Sequence, residues 1–146
     1  MADLAHQRTA IVVGGWDVQR KAAIESVATD AVLAREIGDR VSGPALLASR
    51  FGSREEAVVH AVPMSNEEGR ALADASLRAT AREFVVGHGV ADDAEWQIRA
   101  GAPVDITGVG PLFSGSYYVT QSRHVFDAQG GMRTEFTAQT AGLGRD

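Results

Sequence analysis

Residues 108–136 read GVGPLFSGSYYVTQSRHVFDAQGGMRTEF, and this stretch predicts a long β-hairpin that closes the fold. Residues 117–126 are rich in β-branched and aromatic side chains, which favour strands. Residues 132–138 alternate between two sets of side chains, as expected of a strand with one buried face. The segments are joined by DAQGG at 127–131, whose two glycines can adopt positive φ without steric cost.

A turn of this length also predicts the register of the two strands. The expected opposite pairs are Phe126 with Met132, His124 with Thr134, Ser122 with Phe136, and Arg123 with Glu135. The last pair joins opposite charges across the strands, which contributes about 0.2–1 kcal/mol. A β-bulge in either strand would shift this register.

The same stretch resembles the C-terminal signature of the phage late-control protein D family. That family includes spike-base proteins of contractile injection systems, and it is related to the baseplate hubs of contractile phage tails and to the hub half of type VI secretion spikes. Its pattern is F-S-G-x-Y-Y-V-T, then a His, then a Gly-Gly turn into x-T-E-F. Here the pattern falls on Phe113, Ser114, Gly115, Tyr117, Tyr118, Val119, Thr120, His124, Gly130, Gly131, Thr134, Glu135 and Phe136. A weaker similarity covers Ile98, Arg99, Ala100, Gly101 and Val104.

The resemblance implies a structural role, in which a hub or spike-base trimer links the tail tube to the puncturing spike. It implies that residues 1–146 form one domain, the second barrel of such a protein, with residues 1–8 and 140–146 flexible. The implied partners are the tube, the spike and other hub subunits, as a homotrimer in the full-length context. Full-length members have a further N-terminal barrel, so we expect this chain alone to be monomeric or weakly self-associating. The implied location is a virion baseplate or injection particle, after synthesis in the bacterial cytoplasm.

Composition narrows the class of protein independently of that resemblance. The 146 residues suit one soluble domain, and 16 glycines indicate many turns and a β-rich fold. A net charge of −5 argues against nucleic-acid binding, and the absence of cysteine excludes disulfides and thiolate metal sites. No apolar run is long enough for a membrane helix, and the start MADLAHQRTA lacks the pattern of a signal peptide.

Residues 65–86 form the clearest predicted helix. Ser65 followed by Glu68 is a capping box, and Gly87 is expected to end the helix. The expected apolar side consists of Ala73, Leu77, Ala81 and Phe84, widened by Leu72, Ala75, Ala79 and Val86. The overall prediction is a β-rich α+β fold: a small antiparallel barrel or strongly curved sheet with this one main helix packed on or in it.

The remaining segments give weaker predictions. Strands are expected at residues 9–16, 56–63, 88–90, 96–100 and 104–107, with a bulge or close backbone approach at Gly14 and Gly15. A short helix is expected at 45–51, started by Ser42 and ended by Gly52. Residues 18–37 fit both helix and strand patterns, and the resemblance favours an extended conformation for 21–29.

No pattern of catalytic or metal-binding residues stands out, so we expect no enzyme activity, no cofactor and no metal. Asp92, Asp93 and Glu95 could form an acidic cluster, but a solvated turn is the simpler interpretation. The four histidines lack zinc-ligand spacing. His124 has Ser122 and Asp127 nearby, yet no nucleophile elbow accompanies them, so we expect a structural histidine bonded to the backbone or to Thr134.

An alternative from another class is a small barrel enzyme or ligand-binding module. Its mouth would lie around Tyr118, His124 and Trp96. A deep, closed apolar pocket lined by these three residues would favour that reading, whereas a filled barrel core would favour the hub.

Overall fold

The computed structural model describes residues 1–92 and 95–145, which form an α+β fold with 41% strand. The strands are β1 (Ala10–Asp17), β2 (Ala22–Thr29), β3 (Val41–Ser42), β4 (Glu55–Val58), β5 (Val85–Ala91), β6 (Pro103–Ile106), β7 (Gly115–Asp127), β8 (Gly131–Thr140) and β9 (Gly142–Leu143). The helices are α1 (Ala34–Ile37), which follows a 3₁₀ turn at Asp30–Leu33, α2 (Gly43–Phe51) and α3 (Asn66–Arg82). The predicted fold class is confirmed.

The first sheet has the strand order β2-β1-β4, and α3 covers one of its faces. β1 and β2 are antiparallel, whereas β4 runs parallel to β1. Ala73 and Leu77 of α3 pack against Ile11, Val13 and Ala28 of the sheet. The helix approaches the sheet closely at Gly69, where an added Cβ would lie 2.9 Å from the Ser26 hydroxyl and 3.0 Å from the Ile24 side chain.

The second sheet is a strongly curled antiparallel half barrel with the order β5-β8-β7-β6. The closing hairpin, β7 and β8, has the predicted register at all four pairs named above. A bulge between Val119 and Gln121 shifts the register nearer the start of β7. Because the bulge adds one residue to β7, the alternation of side chains between the two faces is out of step before and after it. The interior of the half barrel is filled by a cluster that includes Phe84, Val85, Tyr117, Val119 and Ala138.

The two sheets are joined through short elements near the chain's middle and end. β3 pairs with β9, and the Gly43 amide donates to the Ala141 carbonyl at 2.9 Å. Leu33, Ile37, Ala81 and Ala141 form a third buried cluster there. The C-terminal strand β9 is thereby tied to the start of α2.

The first residues of the chain lie along β5. The Ala2 backbone bridges to Val85, and the Met1 amino group donates to the Val86 carbonyl at 2.7 Å. Gln7 is fully buried, and its side-chain amide donates to the Thr80 carbonyl at 2.8 Å. The mobility predicted for residues 1–8 and 140–146 remains a prediction, but the contacts that hold both segments come from elements far away in the sequence.

The predicted helix 65–86 is four residues too long. The Ser65 hydroxyl accepts from the Glu68 amide at 3.2 Å as expected, while the Glu68 carboxylate accepts from Met64 rather than Ser65. The helix ends at Arg82, and Val85, Val86 and Gly87 instead belong to β5, where they pair with β8. Ala75 and Ala79 are exposed, so the buried stripe is narrower than predicted.

Two other predicted strands also differ from the structure. Residues 96–100 form a turn instead of a strand, and the predicted strand 56–63 is confined to β4. The chain leaves the ladder after Val58, and Pro63 packs against β1: a Cβ at Gly15 would lie 2.5 Å from the Pro63 carbonyl oxygen. The close approach predicted at Gly15, the strands β1, β2 and β6, and helix α2 with its Ser42 cap are confirmed.

Candidate functional site: the closing hairpin and its surroundings

Gly115 begins the hairpin beneath the side chain of Arg40. Its φ is 145°, and a Cβ there would lie 2.8 Å from a guanidinium nitrogen of Arg40. The same guanidinium donates to the Ser116 carbonyl at 2.9 Å and, on the other side, to the Ile37 carbonyl at 3.2 Å. The glycine of the F-S-G-x-Y-Y motif therefore makes room for a cation that ties β7 to the α1 region.

Tyr117 anchors the loop that precedes the hairpin. Its ring is buried in the half barrel, and its hydroxyl donates to the Phe113 carbonyl at 2.7 Å. Burial raises the pKa of the Tyr117 phenol above its usual value, and the nearby charge of Arg40 opposes that rise. Phe113 itself is 38% exposed, so the contact that fixes the loop is made by its backbone.

The Tyr118 side chain points to the face of the sheet opposite to that of Tyr117, and the Arg82 guanidinium lies over its ring. The Arg82 guanidinium lies 4.1 Å from the ring centroid and forms two hydrogen bonds to the Glu36 carboxylate, at 2.7 and 3.0 Å. These bonds to Glu36 are the main reason why the pKa of Arg82 is raised, while partial burial opposes the shift. A bidentate ion pair stacked on an aromatic ring thus connects the end of α3, helix α1 and β7.

His124 lies on the inner face toward the open end of the half barrel. Its Nδ1 is 2.9 Å from the Thr134 hydroxyl, one of the two kinds of partner that the sequence predicted. Its ring also lies against Trp96, with centroids 4.8 Å apart and planes tilted by 44°. His124 is therefore held by a cross-strand partner and an aromatic neighbour.

Asp127 organises the turn of the hairpin. Its Oδ1 accepts from the backbone amides of Gln129 and Gly130, both at 2.8 Å, and Arg133 lies 3.5 Å from its other oxygen. The hydrogen bond from the Gly130 amide is the largest cause that lowers the pKa of the Asp127 carboxyl, and the bond from the Gln129 amide is the next. Because Asp127 serves the turn, it is not the third member of a Ser122–His124–Asp127 triad.

Glu135 lies on the outer face between two arginines. Its carboxylate is 3.0 Å from Arg133 and 4.0 Å from Arg123, the predicted cross-strand partner. The side chain of Arg123 is 74% exposed, and those of Arg133 and Glu135 are 40% and 36% exposed, so screening by solvent limits what these ion pairs contribute to stability. They give the outer face of the hairpin a mixed charge pattern instead of a single sign.

The mouth hypothesised around Tyr118, His124 and Trp96 is only partly assembled. Trp96 and His124 are in contact, but Tyr118 pairs with Gln139 while His124 pairs with Thr134. Residues 134 and 139 are separated by an odd number of positions, so Tyr118 and His124 project from opposite faces of the sheet. The structure does not bring the three residues around one pocket.

The acidic cluster hypothesised at Asp92, Asp93 and Glu95 can be followed only in part, because Asp93 lies outside the described residues. Within residues 1–92 and 95–145, no three His, Cys, Asp or Glu side chains are grouped so that they could hold a metal ion. In that same part of the chain, no helix combines the length and apolar content of a membrane crossing.

Sequence reasoning missed the residues that brace the hairpin from outside, namely Arg40, Arg82 and Glu36. Arg40 and Arg82 are separated from their hairpin contacts, and Glu36 from Arg82, by more than thirty positions in the chain, and a single sequence contains no periodic signal for such pairs. Gly115 lies just ahead of the strand predicted at 117–126, so its closeness to Arg40 could not be inferred from a glycine within a strand pattern.

A family model described as the Alg8 N-terminal domain matches residues 2–127. The chain belongs to the Alg8 N-terminal domain family. No curated protein matches it. Among solved structures, this Alg8 N-terminal domain chain is similar to the tail protein from Neisseria meningitidis MC58, with a TM-score of 0.55 and 13% identity. That match covers 97% of this chain and 38% of the tail protein, so the chain spans well under half of its length. At such low identity the likeness shows a shared fold.

Proposed function

We propose that this chain is a structural component of a phage tail or of a related injection particle. The observation that supports this most is the backbone match to a tail protein over 97% of the chain. The match is to a part of that protein, which is consistent with a domain that works as one piece of a larger assembly.

The finer part of the proposal is that the domain belongs to the hub or spike base, between tail tube and spike. It rests on the resemblance of the hairpin to the late-control protein D signature. The matched residues occupy positions with a physical role in this fold: Gly115 accommodates Arg40, Tyr117 anchors its loop, and His124 joins β7 to β8. These roles give the matched residue types a structural purpose in this chain.

Several large apolar side chains are exposed, which leaves apolar surface for contacts in an assembly. Large apolar residues that are more than half exposed occur on several elements: Trp16, Val18, Val27, Phe51, Val59, Val62, Met64, Val90, Trp96, Val109 and Phe126. Apolar side chains that are scattered singly are ordinary on a protein surface, so only those that lie side by side would mark a contact. A net charge of −5 makes protein, rather than nucleic acid, the expected partner.

The proposal includes the absence of enzyme activity. The residues that could have suggested chemistry are engaged in structure: His124 with Thr134 and Trp96, and Asp127 with its own turn. We expect neither hydrolase activity nor a stoichiometric metal. Elemental analysis that found one zinc or iron per chain, lost in His124→Ala, would overturn this part.

The assembly can be tested by light scattering on two proteins at matched concentration. One is this chain, and the other is the same chain joined to the N-terminal barrel of a late-control D protein. We expect a stable trimer only from the extended protein. An extended protein that stays monomeric at tens of micromolar would contradict the hub assignment.

A further inference from the structure

Strand β2 presents a long free edge at one side of the first sheet. It pairs with β1 over all eight of its residues, Ala22–Thr29, without a register shift. No other strand of residues 1–92 and 95–145 pairs with its outer side. In an antiparallel edge strand, the N–H and C=O groups of every second residue point away from the neighbouring strand, so about four residues of β2 direct these groups to solvent.

The other strand edges in the described part of the chain are short, interrupted or covered. β4 and β6 have four residues each, and β6 begins with Pro103. β5 is bonded at its start to the first residues of the chain. The part of β7 beyond β6 begins at the bulge and carries Arg123. Such features keep a strand edge from pairing, whereas β2 has no proline, lysine, arginine or bulge.

A groove lies along this edge, between β2 and the first turns of α3. Its volume is about 420 Å³, and it is lined by Glu25, Ser26 and Val27 of β2 and by Asn66, Glu67 and Arg70 of α3. The helix lies directly against the strand there, as the close approach of Gly69 to the Ser26 hydroxyl shows. A strand added to β2 would therefore have backbone partners on one side and the start of α3 beside it.

The charges in the groove indicate which kind of segment fits. The lining residues include two carboxylates, Glu25 and Glu67, and one cation, Arg70. Within the described residues, none of the three forms an ion pair. Glu25 lies on the exposed face of β2, where a basic side chain directly opposite it would form a cross-strand pair. A second copy that paired through its own β2 would instead bring two more carboxylates to the groove.

We propose that the free edge of β2 binds an extended segment of an unlike protein, which adds a fourth strand to the first sheet and carries a basic residue opposite Glu25. An extended peptide matches this edge because its own N–H and C=O groups have the spacing of a strand. The backbone bonds supply the affinity, while Glu25 and the start of α3 select among segments. This interaction is independent of the proposed role in a tail.

NMR of the ¹⁵N-labelled chain, titrated with a synthetic peptide, tests the interaction. The probe is Val-Thr-Val-Lys-Val-Thr-Val, acetylated and amidated at its ends. We expect amide shifts confined to β2 and to the groove residues Asn66, Glu67 and Arg70. Alternate amides of β2 should exchange rapidly with deuterated water in the free chain. At a peptide concentration ten times the dissociation constant, their exchange should slow about tenfold.

Two charge variants form a matched pair. Glu25 and Glu55 are both exposed glutamates of the first sheet, on its two opposite edge strands. Glu25→Lys should weaken binding of the probe about threefold or more, because it replaces an attractive cross-strand pair with a repulsive one. Glu55→Lys makes the same change of charge away from the groove and should leave the affinity unchanged.

Two further peptides separate backbone pairing from charge attraction. A peptide with glutamate in place of the central lysine should bind Glu25→Lys more tightly than it binds the parent chain. A peptide that is N-methylated at every residue keeps the lysine but has no backbone donors. It should not bind, whereas simple attraction between charges would leave its affinity intact.

Several outcomes would contradict the proposal. One is a probe that causes no shifts at millimolar concentration, or shifts outside β2 and the start of α3. Others are equal affinity of the parent chain and Glu25→Lys for the probe, or binding of the N-methylated peptide. Protection of the β2 amides that rises with protein concentration alone would show that a second copy occupies the edge, and it too would refute the proposal. None of these results bears on the tail assignment, because they are measured on the isolated chain.

Discussion

Replacing Gly89 with alanine is expected to destabilise the half barrel through a single contact. Gly89 of β5 lies opposite Phe136 of β8, and a methyl group at Gly89 would overlap the Phe136 ring. Inserting a methyl into an occupied space forces the ring off its rotamer or the strands apart, at a cost of about 1–3 kcal/mol. The removal of glycine from a strand offsets about 0.5–1 kcal/mol of that cost.

Gly87 provides the matched control in the same strand. It faces Ala138, and an added Cβ would meet nothing closer than the Ala138 carbonyl oxygen at 4.0 Å. Gly87→Ala should therefore be neutral or stabilise by about 0.5–1 kcal/mol. The difference between the two variants, about 1–3 kcal/mol, measures the overlap with the ring and removes the effect of alanine on the unfolded chain.

Urea denaturation at equilibrium, read by far-UV circular dichroism, measures both free energies of unfolding. A second check uses Phe136→Ala, in which the ring is absent and Gly89→Ala should no longer be destabilising, so the two changes are non-additive. Equal effects of Gly89→Ala and Gly87→Ala would refute the packing of Phe136 on β5. So would a Gly89→Ala penalty that persists without the ring.

Three further predictions follow from buried, charged and turn residues. Leu77→Ala or Phe84→Ala should lower the free energy of unfolding by about 2–5 kcal/mol, because both side chains are fully buried. In the same urea denaturation assay, Ala79→Ser on the exposed side of α3 should change it by no more than about 0.5 kcal/mol. A double-mutant cycle with Arg82→Gln and Glu36→Gln should give a coupling free energy of about 1 kcal/mol, and a value near zero would show that the bidentate pair does not brace the hairpin. The folded pKa of Asp127 is lowered, so its stabilising contribution is present above the ordinary Asp pKa of 3.8 and is lost as the pH falls through the lower folded value. Acid titration of the urea midpoint should show this loss in the parent and not in Asp127→Asn, and identical titrations would count against the turn geometry.

The hairpin register could be predicted because its determinants are local. The DAQGG turn fixes which residues are opposite, and the alternation of β8 fixes which of them face inward. The bulge between Val119 and Gln121 could be anticipated only as a possibility, since no residue in that segment requires one.

The end of α3 was mispredicted because helix and strand patterns coincide there. Phe84 continues the spacing of Leu77 and Ala81, so it fits the apolar side of a longer helix, and Phe84 is indeed buried. Yet Val85 and Val86 are β-branched and gain a strand partner in β8, some fifty residues later in the chain. A long-range ladder therefore overrode a local periodicity.

The contacts that hold the hairpin from outside could not be predicted for the same reason. Arg82, Glu36 and Tyr118 meet because three separate elements converge, and none of the local patterns around these residues differs from that of an ordinary exposed charge. By contrast, the bond between His124 and Thr134 followed directly from the hairpin register and could be predicted.

If this chain is built into a tail or injection particle, as we propose, it should be found there. Particles purified from cells that produce the protein should contain the chain in a fixed ratio to the tube protein by quantitative mass spectrometry. A gold-labelled antibody against the chain should mark one end of the tube in electron micrographs. Particles that lack the chain, while the protein remains free in the cell extract, would contradict the proposed structural role in a tail or injection particle.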